Sequence, residues 1–187
     1  MTRHGPDTAR EQLAIVRELY AEVYAEPPYF VGPAEVAEFV AGWQQRVAEP
    51  GFRLVLGHWD DRPVGFAFGA QLQAQAGWWQ GALTPLSPQL TAEHPGRTFA
   101  LLEIGVRRPY RGRGVARRMH DCLIDGRSEE RVALLVLPDA PVPRQAYLSW
   151  GYRPVGRVRP FPGGPIFDAM VKPLGQSAVP RGGSGPE

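Results

Sequence analysis

The chain has 187 residues, a formal net charge of +2 and 43% hydrophobic residues, as expected for one globular domain and not for a disordered or fibrous protein. Cys122 is the single cysteine, which excludes an intrachain disulfide and favours a reducing, cytoplasmic location. The sequence has no apolar leader and no run of about 18 apolar residues, so neither secretion nor membrane spanning is expected.

The first part of the chain predicts two amphipathic helices and a β-hairpin. Apolar residues recur at helical spacing over residues 8–25 and again from about Pro33 to Val47. Two strand-like runs, FRLVLGHW and PVGFAFGAQLQ, then flank the turn sequence DDRP. The chain enters its first helix almost at once, with no strand expected before it.

The remainder alternates strands with helices. Residues 74–97 have no clear period, and a connection of this length within a compact domain is usually functional or mobile. The apolar strand TFALLEIGV, a helix, the strand VALLVLP, a short helix around VPRQAYLSW and two last strands, YRPVGRV and IFDAMVKPL, follow in order. This order predicts one mixed α/β domain over residues 1–174, with a partly antiparallel and partly parallel sheet. The Pro- and Gly-rich residues 175–187 predict a flexible tail.

The connection RRPYRGRGVARRMHDCLI, residues 107–124, lies between a buried strand and a helix. A glycine-rich turn in this position lets backbone N–H groups face an anionic ligand, and the helix N-terminus adds a partial positive charge. Gly112 and Gly114 permit close approach of the backbone, and Arg111 and Arg113 can add charge-assisted contacts. The segment therefore predicts a phosphate-binding turn.

Other interpretations of the same connection have less support. It contains no GxxxxGK[ST] loop, and a dinucleotide fingerprint beginning at Gly112 would need a glycine where Arg117 stands. RNA binding would rest on arginine density alone, because Tyr110 is the single aromatic residue among these arginines. A solvated, charged face beside a structural glycine turn stays open as an alternative.

The segment RGRGVA, residues 111–116, resembles the [Q/R]-x-x-G-x-[G/A] signature of the GNAT family of N-acetyltransferases, which in that family wraps the pyrophosphate of acetyl-CoA. LLEIGV and VARRMHDCLI resemble the family's fourth strand and third helix, AYLSWGY its tyrosine element, and DAMVKPL its last strand. The likeness runs from about residue 52 to residue 174. It implies a central mixed sheet with splayed strands, flanked by helices, from which the family's first strand is missing or replaced.

The resemblance implies acetyl-CoA as co-substrate and assigns roles to particular residues. Tyr147 would protonate the CoA thiolate, and the backbone near Val106 would support the thioester oxygen. Glu103, a carboxylate within an apolar strand, is the candidate general base, because burial would raise its pKa. A structural glutamate and a water chain stay open as alternatives. The implied cofactor-binding residues are Val106, Arg108, Arg111, Gly112, Arg113, Gly114, Val115 and Ala116. The scattered histidines and unpaired cysteine predict no metal site.

Four aromatic residues, Tyr29, Phe30, Trp78 and Trp79, occupy segments that line the acceptor pocket in this family. Aromatic walls suit an apolar, aromatic or cationic amine. The expected acceptor is therefore a small primary amine, with neither nucleic acid nor a membrane as partner, and the resemblance is compatible with a homodimer. A protein or peptide acetyltransferase, and an acyl-CoA-binding module without turnover, stay open as alternatives.

Overall fold

A computed structural model of the chain describes residues 1–74 and 77–175. Its helices are α1 (Pro6–Glu11), α2 (Leu13–Tyr24), α3 (Pro33–Val47), α4 (Pro88–Thr91), α5 (Val115–Ile124) and α6 (Pro141–Ser149). Its strands are β1 (Thr2–His4), β2 (Arg53–Trp59), β3 (Arg62–Gln71), β4 (Thr98–Val106), β5 (Arg131–Val136), β6 (Arg153–Val158) and β7 (Phe167–Pro173). Single 3₁₀ turns lie at Gly77–Trp79 and Arg108–Tyr110.

The strands form one seven-stranded sheet in the order β1-β2-β3-β4-β5-β7-β6. Every neighbouring pair is antiparallel except β4 and β5, which α5 joins by a crossover. This arrangement confirms the prediction of a mixed α/β fold with a mixed sheet flanked by helices. The predicted tail lies outside the described residues except for Gly175, and the single-domain boundary at residue 174 stays a prediction.

The N-terminal region differs from expectation in two ways. A short strand does precede the helices, because Thr2–His4 pairs antiparallel with Leu54–Leu56 of β2, so the prediction of a missing or replaced first strand was wrong. Three residues are too few to show an alternating pattern. The helix predicted over 8–25 is also divided at Gln12, whose backbone (φ −85°, ψ 0°) leaves the helical region between α1 and α2.

The two faces of the sheet bury different sets of side chains, as the alternation of side chains along a strand requires. Leu54, Phe66 and Phe68 pack toward α2 and α3, whereas Val55 and Ala67 pack toward α5. Helix α5 lies very close to the sheet: a Cβ atom added at Gly57 or Gly65 would come within 2.7 or 2.9 Å of Met119 atoms. The glycines therefore set how closely α5 approaches.

The parallel strands β4 and β5 separate soon after they begin. They pair only from Thr98–Arg131 to Ala100–Ala133. Beyond that point β4 stays paired with β3 as far as Val106, and β5 stays paired with β7 as far as Val136. The two strands thus diverge toward their carboxyl ends and open a cleft in the middle of the sheet.

Among the described helices, none combines the length and the apolar character needed to cross a bilayer.

Candidate active site

The connection from β4 to α5 forms a cradle of backbone amides, which we call the amide cradle and define as residues 112–117. Gly112 and Gly114 both have φ +73°, a left-handed conformation that favours glycine. Gly114 directly precedes α5 and its cap makes no side-chain hydrogen bond. The N–H groups of residues 112–117 donate to no acceptor within residues 1–74 and 77–175. Six successive donors are therefore available to a ligand.

The space above the cradle is open. A Cβ atom added at Gly112 would meet no heavy atom within 4 Å, and one added at Gly114 would meet only Arg118 Nη1, at 3.3 Å. The partial positive charge of the α5 N-terminus adds to the six donors. An anionic diphosphate with several acceptor oxygens matches this donor set, so the residues present fit the diphosphate of acetyl-CoA.

The arginines around the cradle differ in what they contact. Arg111 is already engaged, because its Nε donates to the Val106 carbonyl at 2.9 Å and its Nη1 donates to Glu26 Oε2 at 2.7 Å. Its side chain thus ties the connection to the residues after α2. Arg113 lies over the Trp59 ring at 5.1 Å, and Arg108 is exposed. Arg111 therefore uses its guanidinium in two hydrogen bonds, whereas neither Arg108 nor Arg113 uses its guanidinium in a hydrogen bond or ion pair among the described residues.

The cleft between β4 and β5 contains a cavity of about 410 Å³, which we call the acceptor cavity. Glu103 of β4 and Tyr147 of α6 both line it, as do Tyr29 and Trp78. The sequence-predicted catalytic pair and two of the four predicted aromatic residues therefore meet in one place. Val106, which ends β4 opposite Gly65 of β3, leads from the cavity directly into the connection that carries the amide cradle.

Phe30 and Trp79 do not line the acceptor cavity, so the structure does not bring them to the site. Phe30 is 70% exposed. Trp79 is buried, and its Nε1 donates to Glu93 Oε1 at 2.8 Å. Glu93 also accepts from Arg131 at 2.6 Å, so Trp79 belongs to a buried polar network that fastens the long loop to the sheet. Two adjacent tryptophans thus have different surroundings.

Glu103 is partly buried and has one hydrogen-bond donor among the described residues. The Tyr24 hydroxyl donates to its Oε2 at 2.5 Å, while Oε1 has no partner within the described chain. Burial raises the pKa of the Glu103 carboxyl above its ordinary value, and the Tyr24 hydrogen bond and the more distant Arg46 act in the opposite direction. A carboxyl with a raised pKa and a free oxygen facing a cavity has the properties of a general base.

Tyr147 lies on α6 with its ring packed edge-to-face against Trp150 and at 5.8 Å from Tyr152. Burial, with smaller contributions from Tyr29 and Glu103, raises the pKa of the Tyr147 phenol well above its ordinary value. Its hydroxyl makes no hydrogen bond to any residue of the described segments, so its proton remains available. A protonated phenol at the cavity wall can donate to a group that gains negative charge there.

Tyr24 and Phe161 of the acceptor cavity are two residues to which the sequence assigns no role. Tyr24 was assigned no role, because its link to Glu103 joins positions 79 residues apart, which no local pattern reveals. Phe161, 53% exposed in the β6–β7 connection, lines the cavity although it follows a strand with no site motif. In the sequence, the one sign of a role for Phe161 is that an aromatic residue stands in a Pro- and Gly-rich loop.

Other features of the structure carry less chemistry. A larger groove of about 610 Å³ between α2 and α3 is apolar. Of the lining residues that the structure describes, Arg17 is the one charged group, and none is a candidate nucleophile or base. Cys122 is partly buried on α5. Within residues 1–74 and 77–175, no three His, Cys, Asp or Glu side chains cluster in a way that could hold a metal ion.

A splayed mixed sheet, an amide cradle at the start of the crossover helix and a cavity between the splayed strands together define an acyl-CoA-binding transferase. Comparison with known families agrees, since residues 15–152 match the model of the Acetyltransferase (GNAT) family. The chain belongs to that family and is an acetyl-CoA-dependent acyltransferase. Comparison with curated protein sequences gives no significant match.

Solved structures with the same fold include several acetyltransferases. The structure of yncA from Salmonella typhimurium with its cofactor acetyl-CoA is 15% identical with a TM-score of 0.60, over 98% of this chain and 99% of that one. The histone acetyltransferase HPA2 and related acetyltransferase structure from Corynebacterium glutamicum is 18% identical with a TM-score of 0.62, over 95% and 98%. A spermidine N-acetyltransferase SpeG chimera from Vibrio cholerae and hSSAT is 15% identical with a TM-score of 0.60, over 92% and 94%.

Proposed function

We propose that the protein transfers the acetyl group of acetyl-CoA to the primary amine of a small molecule that carries one positive charge and an apolar or aromatic body. The observation that carries this proposal is that Glu103 and Tyr147 line one cavity, whose walls are otherwise apolar and aromatic. A carboxylate can receive a proton from the bound ammonium, and a phenol can supply one to the departing thiolate.

The wall chemistry supports a monoamine. Among the described residues that line the cavity, Glu103 is the one charged side chain, and Tyr29, Trp78 and Phe161 present aromatic surface beside it. Aromatic faces attract a cation and also pack against an apolar body. A polycationic acceptor would need further acidic groups, and Glu93 is not available because it is buried against Arg131 and Trp79. A single ammonium on an apolar body therefore suits the cavity better than a polyamine or an aminoglycoside.

In the proposed reaction, Glu103 accepts a proton and Tyr147 donates one. Glu103 Oε1 takes one proton from the substrate ammonium and leaves a neutral amine. The amine nitrogen forms a bond to the acetyl carbon as the carbon–sulfur bond breaks, and Tyr147 donates its proton to the sulfur. The nitrogen loses its second proton as it becomes an amide, and that proton restores the Tyr147 phenol through solvent. Glu103 then releases the first proton to solvent, so each turnover releases one proton. The amide cradle holds the diphosphate throughout.

The experiment is thiol release from acetyl-CoA with purified protein and a panel of acceptors: aromatic and aliphatic monoamines, amino acids, polyamines, an aminoglycoside and N-terminal peptides. Release with the apolar monoamines at the highest kcat/KM is the expected result. Preference for peptides would replace the small-molecule acceptor with a protein acceptor. Acetyl-CoA binding without thiol release for any acceptor would favour an acyl-CoA-binding module instead.

A further inference from the structure

The Tyr24 phenol is buried at the end of α2 and its hydrogen bond is directed at one oxygen of Glu103. The distance from the hydroxyl to Oε2 is 2.5 Å, whereas the Ile104 carbonyl, the other acceptor nearby, is at 3.5 Å. A phenol has one proton to donate, so the shorter contact to the carboxylate takes it. Glu103 Oε1 is left without a partner among the described residues.

Packing holds Tyr24 in this orientation. Its ring lies edge-to-face against Tyr20 at 4.9 Å, against Tyr29 at 4.8 Å and against Phe66 at 6.3 Å. The side chain is 8% exposed, so few other rotamers are open to it. Glu103 itself lies where β4 has a register irregularity against β3, between Phe68 and Gly69, and an irregularity of this kind re-aims the side chains beside it. The Tyr24 phenol holds the carboxylate in the direction that results.

We propose that Tyr24 is the positioning residue for Glu103: its phenol holds Oε2 and so presents Oε1 to the substrate ammonium. This assignment rests on the proposed function of Glu103 as the base. Tyr24 itself touches no reacting atom in this account and acts only through the carboxylate. Loss of the phenol would leave Glu103 in place but free to turn away from the amine.

The same hydrogen bond stabilises the ionised carboxylate, so its loss would raise the pKa of Glu103 further above the ordinary value. Four other titratable or charged groups interact electrostatically with Glu103. They are Tyr20 of α2, Tyr29 of the loop after α2, Arg46 of α3 and Tyr147 of α6. None of these donates a hydrogen bond to Glu103 in the described residues, so the Tyr24→Phe substitution tests one contact.

The experiment compares wild type, Tyr24→Phe, Glu103→Gln and the double variant, with the best acceptor amine. We expect Tyr24→Phe to lower kcat/KM at neutral pH by about ten- to a hundredfold and to move the ascending limb of the pH profile to higher pH. In the Glu103→Gln background the same substitution should have little further effect, because Tyr24 acts through the carboxylate. A double variant whose loss equals the combined losses of the two single variants, or an ascending limb that does not move in Tyr24→Phe, would overturn the proposal.

A second measurement separates failure of this proposal from failure of the proposed function. Isotope-edited NMR of labelled glutamate, with the Glu103 signal assigned by its loss in Glu103→Gln, follows the carboxyl titration in the free protein without any acceptor. Tyr24→Phe should shift that titration to higher pH, and an unchanged midpoint would contradict the contact. Tyr152→Phe is the matched control, since it removes a buried phenol hydrogen bond to His120 at 2.9 Å and should leave the Glu103 titration in place.

Discussion

The amide cradle and the acceptor cavity differ in how the chain builds them. The cradle consists of six successive residues, 112–117, and its donors are backbone N–H groups. The acceptor cavity draws its wall from α2, β4, β5, α6, β7 and four connecting loops, and its chemistry depends on side chains. Under the proposed function, the cradle would hold the diphosphate, which is the same for every acceptor, while the cavity, built from separate segments, would select the acceptor.

This contrast predicts that a change in the cradle affects every acceptor alike. Gly114→Glu places a side chain at φ +73° and a carboxylate beside the diphosphate, so acetyl-CoA affinity should fall by at least about a hundredfold in calorimetry. Gly126→Glu is the matched control, because Gly126, just beyond the other end of α5, has φ +66° and open space around its Cβ position. Equal losses in both variants would mean that strain or charge, not the cradle, caused the effect.

A change at Tyr147, the proposed proton donor of the acceptor cavity, should leave acetyl-CoA binding intact. Tyr147→Phe removes the proton donor but keeps the ring packed on Trp150, so kcat should fall by about a hundredfold while the acetyl-CoA Kd is unchanged. Single-turnover kinetics at saturating acetyl-CoA measure this. Unchanged turnover would remove the role assigned to Tyr147 and leave the thiolate to be protonated by solvent.

The two adjacent tryptophans offer a test within the loop itself. Trp78→Ala should raise KM for the amine by about tenfold with little change in unfolding free energy, because Trp78 lines the acceptor cavity. Trp79→Ala should instead lower the free energy of unfolding by about 3 kcal/mol, because its ring is buried and its N–H is bonded to Glu93. Steady-state kinetics measure KM and urea titration measures the free energy of unfolding. A raised KM in Trp79→Ala together with a lowered stability in Trp78→Ala would show that the loop packs differently.

The smallest expected effect is on stability. Burial raises the pKa of Glu103 in the folded state, so the folded protein binds that proton more tightly than the unfolded chain, and stability is lost as pH rises from the ordinary glutamate range through the folded value. Glu103→Gln should therefore raise Tm at pH 8, by on the order of 2 °C, and have no such effect near pH 4. A gain in Tm that is the same at pH 4 and pH 8 would contradict a raised pKa for Glu103 in the folded state.

The cradle could be predicted from sequence because its spacing is local. A glycine-rich turn between a buried strand and a helix has one simple backbone interpretation, and both glycines do take left-handed conformations. Glu103 and Tyr147 could be proposed for a similar reason, since each stands within a recognisable strand or helix segment. Their meeting in one cavity required β4 and β5 to separate after Ala100, which no residue pattern in either strand reveals.

The differences between expectation and structure have physical causes of the same kind. The strand Thr2–His4 is stabilised by pairing with β2, not by its own residues, so three residues without alternation gave no sign of it. Trp78 and Trp79 lie in a loop without periodicity, where sequence could not say which ring faces the cavity. In each case a partner distant in the chain decided the conformation.

The sequence by itself determined the family, the mixed α/β fold and the glycine-rich turn before α5, because these depend on local patterns of glycine, apolar and charged residues. Only the tertiary structure decided which aromatic residues line the acceptor cavity. It also decided that Glu93 forms an ion pair with Arg131 and that Tyr24 donates a hydrogen bond to Glu103. Those features depend on contacts between segments far apart in the chain, and such contacts form only once the sheet has brought α2, β4 and α6 around one cleft.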